Sequence, residues 1–301
     1  MDTYQKGIFL VILTAIVSGF SIFINSFAVK GFDSSVFTFS KNVAVALFLF
    51  AVLYGFGQWQ ELKTLKRKHW IQLFIIGLVG GSLPFLLFFK GLQLSSGASS
   101  AFIHKSLFIF VAVFAAVFLK EKLTKPLVAG ISLLMAGNFF MIFPDFQLSQ
   151  GLMLVLGATV LWAAENTYAK KVLQDVSGTM VAFGRMFFGS LIILIYLAVT
   201  GKAPIILAMS LQQYAWIALT SILLMLYVLS FYNGLKHIKV STAACILALG
   251  SPITTLLAFA FQGTMVSLMQ AAGMLFVGVG AALIIWLGRE VSLPVNVYER
   301  H

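Results

Sequence analysis

At 301 residues, with 60% hydrophobic and only 10% charged residues, the chain carries more apolar side chain than a water-soluble domain, which averages about 45–50% apolar and about 25% charged. Its net charge of +11 does not point to nucleic acid, because the basic residues sit in short clusters between apolar runs, with no basic stripe interleaved with exposed aromatics. Composition therefore excludes a soluble fold and makes the lipid bilayer the solvent for most of the chain.

Apolar runs of helical length predict ten transmembrane spans, near 7–29, 36–56, 70–91, 96–119, 126–143, 150–172, 178–200, 213–235, 240–262 and 267–287. The first resembles a signal peptide, yet it runs on to Val29 without a small-residue cleavage pattern and reads as a membrane helix. The third holds Gly77, Gly80 and Gly81, a close-packing face, and Pro84, which lacks a helix donor. His104 and Lys105 fall in the fourth span, Glu165 in the sixth, Arg185 in the seventh, and Cys245 and Pro252 in the ninth. The connections, such as 58–69, 120–125 and 174–178, are short and polar. Function is thereby confined to the bundle or its mouths.

Placing the amino terminus in the cytoplasm puts every Lys and Arg inside except Lys30, Lys41, Lys90, Lys105, Arg185 and Lys202. Basic loops are retained on the cytoplasmic side, so both termini are expected there.

An internal repeat is visible as well. A constant offset of 144 over 7–49 matches Gly7 with Gly151, Phe39 with Phe183, and the intramembrane cations Lys41 and Arg185. From about residue 90 the offset is 143, matching Gly91 with Gly234, Ala101 with Ala244, Gly130 with Gly273 and Gly137 with Gly280. The expected units are 1–145 and 146–288, with a cytoplasmic tail at 289–301. An odd number of spans per unit makes the halves inverted repeats, an architecture whose substrate site lies near the membrane midplane. The fold class is an all-α integral membrane protein of ten transmembrane helices in two inverted five-helix repeats.

Several segments together resemble the EamA family of the drug/metabolite transporter superfamily, over nearly the whole chain. They are Lys90-Gly91-Leu92, the small-residue run 95–101, and Phe118-Leu119-Lys120-Glu121-Lys122-Leu123-Thr124 with Gly130 and Gly137. In the second half they are Asn233-Gly234-Leu235, Ser241-Thr242-Ala243-Ala244, Ser251-Pro252-Ile253, and Gly273, Gly278 and Gly280. Two positions depart from symmetry: Glu121 aligns with Thr264, and Pro252 with Ile109. The resemblance implies a secondary transporter of a prokaryotic inner membrane that exports small metabolites such as amino acids. A receptor or scaffold that binds without transport is the alternative from a different class.

Ionisable groups at bilayer depth usually face a bundle interior and mark a pathway. Glu165, flanked by Trp162, Asn166 and Tyr168, is the one acid far from a predicted span end. It either binds an amino group or carries a proton, or pairs with Lys105 or Arg185. Lys105 and His104 suit a substrate carboxylate; structural pairing for the lysine, and carbonyl partners for the histidine, are the alternatives. Lys41 and Arg185 are candidates for gating or pore lining, Arg185 also for substrate binding, with snorkelling toward headgroups the alternative, and Pro84 and Pro252 are candidates for helix breaks. Tyr227, Phe231, Tyr232 and Asn233 are candidate cavity-lining residues, with interface anchoring equally suited to Tyr232. No nucleotide loop, dinucleotide fingerprint, hydrolase elbow or metal-ligand cluster occurs in the sequence, so neither an enzyme nor a cofactor is expected. The expected partners are a small-molecule substrate, the bilayer and a coupled proton, and a monomer is the simplest working unit.

Overall fold

The computed structural model describes residues 2–28, 31–95, 97–142 and 149–288, and these are helical without any β-strand. Lys30, Ser96, the boundary between the halves at 145 and the expected tail 289–301 lie outside the described residues.

The helices run in the order α1 (Thr3–Ala28), α2 (Ser34–Gly55), α3 (Trp59–Thr64), α4 (Arg67–Ile76), a π-helical turn (Gly77–Ser82), α5 (Leu83–Gln93), α6 (Gly97–Lys105), α7 (Leu107–Phe118) and α8 (Lys125–Ile142). There follow α9 (Gln150–Val172), α10 (Gly178–Val199), a short 3₁₀ turn (Ala203–Ala208), α11 (Leu211–Leu235), α12 (Val240–Leu247), α13 (Gly250–Gln262) and α14 (Leu268–Gly288). Among the described residues, eight stretches are long and apolar enough to cross a membrane, and the shorter apolar helices 102–118 and 125–141 complete the expected ten. Helix α3, inside the predicted polar connection 58–69, is an addition.

Three spans expected to be continuous are interrupted. The third breaks at the π-helical turn, where Leu83 N–H bonds back to Leu78 O across five residues. The fourth breaks at Ser106 and the ninth at 248–249, positions that the 143-residue offset superimposes. Pro252 supplies no N–H for Ala248 O, and Ser251 N–H bonds it instead at 3.0 Å. The first half breaks at the same place with Ile109 where Pro252 stands, so the bend belongs to the repeat rather than to the proline.

Packing follows the repeat. Helix α1 packs on α11 as α9 packs on α5, and α2 lies along α10, α7 along α12 and α8 along α14. The aligned glycines are those that meet. A Cβ on Gly137 would lie 2.7 Å from Gly273 O, and one on Gly130 would lie 3.0 Å from Gly280 O. The repeat operator exchanges these two contacts, just as it exchanges Gly7–Gly234 with Gly151–Gly91. Because 130 meets 280 while 137 meets 273, the equivalent helices α8 and α14 run antiparallel, which makes the repeats inverted. Helices α2 and α10 also run antiparallel: Val36 packs with Ile193 and Leu197, and Phe50 with Phe183.

Short polar contacts seal the two membrane faces. On the face carrying the basic loops, Glu121 accepts from Val240 N–H at 2.9 Å, Ser241 N–H at 3.3 Å and the Ser241 hydroxyl, capping α12 across the halves. Glu61 accepts from Ser177 N–H at 2.8 Å, and Lys68 lies 3.5 Å from Asp175. On the opposite face Asp33 caps α2 through Ser35 and Val36 and pairs with Lys202 at 2.7 Å.

Candidate functional site

The site begins with a missing donor. In an uninterrupted helix Gly80 O would accept from the N–H four residues on, but that residue is Pro84. Gly80 O instead accepts from Trp162 Nε1 and from Arg185 Nη2, each at 3.1 Å. Gly80 also lies against α9: an added Cβ would sit 2.5 Å from Glu165 Cγ. The glycine face at Gly77, Gly80 and Gly81 packs closely, as expected, and the carbonyls of Gly80 and Gly81 also accept side-chain donors from other helices.

Around this carbonyl a buried network crosses both halves. Tyr232 donates to Glu165 Oε1 at 2.6 Å and accepts from Arg185 Nη1 at 3.1 Å. Glu165 is 1% exposed, Arg185 6% and Tyr232 0%. Glu165 Oε2 and Arg185 Nε have no hydrogen-bond partner among the described residues. Among the described residues Glu165 makes no direct ion pair with Lys105 or Arg185, the alternative its sequence position left open; the Tyr232 hydroxyl bridges carboxylate and guanidinium instead. Tyr232 is correspondingly a core residue and not an interface anchor; its position near the end of a span concealed this. With a rise of 1.5 Å per residue, Glu165 sits roughly 10 Å from the basic-face end of α9.

Nearer the bundle centre lies an aromatic wall. The His104 ring is 5.0 Å from both Phe88 and Trp162, and Phe85 meets Trp162 at 5.2 Å. His104 Nδ1 is buried without a partner, while the half-buried Lys105 has no hydrogen bond or ion pair among the described residues. Lys41, 9% exposed, lies toward the opposite face; its Nζ donates to Asn25 Oδ1 at 2.8 Å and lies 4.8 Å from the Phe37 ring centroid. Lys41 therefore turns into the bundle and does not snorkel. Asn42 adds a bond to Gly81 O at 2.9 Å on the same interrupted helix.

The remaining candidates do not bond into this network. Tyr227 is half-buried, stacks on Phe231 at 5.9 Å and lies within electrostatic reach of Arg185 and Glu165. Asn166 is buried on α9, and Tyr168 is half-buried against the core. Asn233 Nδ2 bonds Leu229 O, and its side chain fills the space beside Gly178. Pro252 belongs to the α12–α13 bend, away from Gly80. Sequence reasoning passed over Asn25 and Asn42 and read Gly80 as packing alone; the donorless position four residues after Gly80 was the available signal.

The EamA-like transporter profile matches residues 5–143 and again 149–286. The chain belongs to the EamA-like transporter family. Relatives include an uncharacterized transporter of Archaeoglobus fulgidus, 30% identical over 161 residues that make up 53% of this chain and 56% of that protein. Another is the uncharacterized transporter YyaM of Bacillus subtilis, 24% identical over 258 residues, 82% of each chain. A solved crystal structure shares the fold with a TM-score of 0.78 at 16% identity, covering 96% of this chain and 99% of its own.

Proposed function

We propose that this EamA-like protein exports small metabolites such as amino acids by alternating access, its halves rocking about the network of Glu165, Tyr232, Arg185 and Gly80 O. The observation that carries this reading is that network: a carboxylate with one unpartnered oxygen and a guanidinium with one unpartnered N–H, buried at membrane depth between the two repeats. Polar groups so placed are costly and mark pathways. Lys105 offers its ammonium to a substrate carboxylate, and Phe88, Trp162 and His104 cover the apolar part. Glu165 is the proton carrier in this scheme, since it has an unused oxygen and both termini of its network move with different halves. The basic loops face the cytoplasm of a prokaryotic inner membrane, the termini lie inside, and a single chain is the working unit.

The test is flux in proteoliposomes against a panel of amino acids and related small metabolites. Saturable flux in the wild type that falls at least about tenfold in Glu165→Gln and Lys105→Ala supports the proposal. Flux retained in both variants removes the site, and flux that ignores external pH removes the proton. Saturable binding without flux for any compound supports a receptor.

A further inference from the structure

A shallow recess opens on the basic face, where the start of α8, the start of α12 and the end of α14 come together. It is lined by Lys122, Thr124, Pro126, Lys239, Thr242 and Ile284, and it encloses about 20 Å³, room for one water or one phosphoryl oxygen. Neither Lys122 nor Lys239 has an ion-pair or hydrogen-bond partner among the described residues. Glu121 lies close by and keeps its negative charge, but its oxygens bond Val240 N–H and Ser241 and neither ammonium group, so two positive charges stand against one negative charge.

The fold does not require these lysines. By the 143-residue offset the sequence has Met265 at the position equivalent to Lys122 and Ser96 at the position equivalent to Lys239. The floor is apolar, and Leu123 and Val128 beside it are exposed, which suits acyl chains. Basic pockets between membrane helices at headgroup depth recognise anionic lipid phosphates. We propose that this recess binds the phosphate of an anionic phospholipid, with Lys122 and Lys239 as the charged ligands and Thr124 and Thr242 as hydroxyl donors. The recess admits one phosphoryl oxygen, so the rest of the phosphate would sit at its mouth beside the two ammonium groups, with glycerol and acyl chains outside, in the bilayer.

The measurement is the thermal unfolding of the purified full chain in detergent with added phosphatidylglycerol, with phosphatidylcholine, or with inorganic phosphate alone. Phosphatidylglycerol is expected to raise the midpoint by several degrees more than phosphatidylcholine, and inorganic phosphate by nothing. Lys122→Gln/Lys239→Gln is expected to lose most of that preference while keeping its helical signal. Lys63→Gln/Lys66→Gln, which removes equal charge from another loop of the same face, is expected to keep it. An equal phosphatidylglycerol preference in the Lys122/Lys239 variant, or equal losses in both double variants, overturns the proposal and leaves the lysines a topological role. A full shift with inorganic phosphate overturns the lipid as source and assigns the recess to a soluble anion.

Discussion

The Tyr232 hydroxyl both donates to Glu165 and accepts from Arg185, so Tyr232→Phe leaves a buried carboxylate and a buried guanidinium each short of a bond. Stranding such groups costs about 1–3 kcal/mol or more, and the expected result is a lower unfolding midpoint in detergent together with lost flux. Gly80→Ala acts differently: the new Cβ meets the flexible side chain of Glu165 and not backbone. It should leave the fold largely intact while displacing the carboxylate, so flux falls more than stability. At the opposite membrane face, Asp33 and Lys202 titrate outside the bilayer. Burial raises the Asp33 carboxyl, but Lys202 and the amides of Val36 and Ser35 outweigh it, and the net direction is downward from 3.8; the bond that Lys202 donates to Asp33 raises the lysine above 10.5 despite some desolvation. A lowered carboxyl stabilises above its unfolded pKa and loses that contribution as pH falls through the folded value; a raised ammonium stabilises below its unfolded pKa and loses it as pH rises. The stability gap between wild type and Asp33→Asn should therefore be full between about pH 4 and about pH 10.5 and shrink beyond both ends. The pair is partly solvated, at 24% and 37% side-chain exposure, so the gap should be small; unfolding midpoints across pH measure it.

Among the elements, α8 and α14 show most directly how small residues replace the hydrophobic effect inside lipid. Helices there gain nothing by escaping water, so close backbone approach through glycine supplies the association. A Cβ at Gly137 or Gly273 would lie 2.7 Å from the facing carbonyl oxygen, and backbone cannot swing aside as a side chain can. Gly137→Ala and Gly273→Ala should each cost about 1–3 kcal/mol through overpacking, read as a lower unfolding midpoint. Gly278, with nothing within 4 Å of an added Cβ, is the control, and Gly278→Ala should be near neutral. The third span shows the opposite use of glycine. Its π-helical turn and Pro84 open the backbone, and donors from Asn42, Trp162 and Arg185 satisfy the carbonyls thereby released. Non-helical backbone at membrane depth is tolerated where protein groups bury and bond it.

At the scale of the whole molecule, the contacts that seal the basic face mostly join one half to the other: Glu121 to α12, Glu61 to Ser177, Lys68 to Asp175. Rocking of the halves would have to break or reform them. Cys245, the single cysteine, is fully buried on α12 below the Glu121 cap and so reports on that face. Glu121→Gln weakens a charged cap, of a kind worth about 1 kcal/mol, and should speed alkylation of Cys245 by a permeant thiol reagent. An unchanged rate would detach Glu121 from opening of the face.

Composition, the ten apolar runs and the offset between the halves were enough to derive a ten-helix bundle of inverted repeats, because bilayer thickness sets helix length and an odd span count sets inversion. Predicted limits such as 150–172 and 240–262 coincide with the observed segments, and the aligned glycines prove to be touching ones. The titratable members of the site were also legible, since charge at membrane depth is rare enough to stand out in a sequence. Their partners were not. Tyr232 lies 67 residues from Glu165 and 47 from Arg185, and Gly80 O belongs to a residue with no side chain to notice. Which polar atoms meet is decided by how α9, α10 and α11 cross the interrupted third span, and that crossing depends on tertiary packing between the halves, to which local hydropathy is blind.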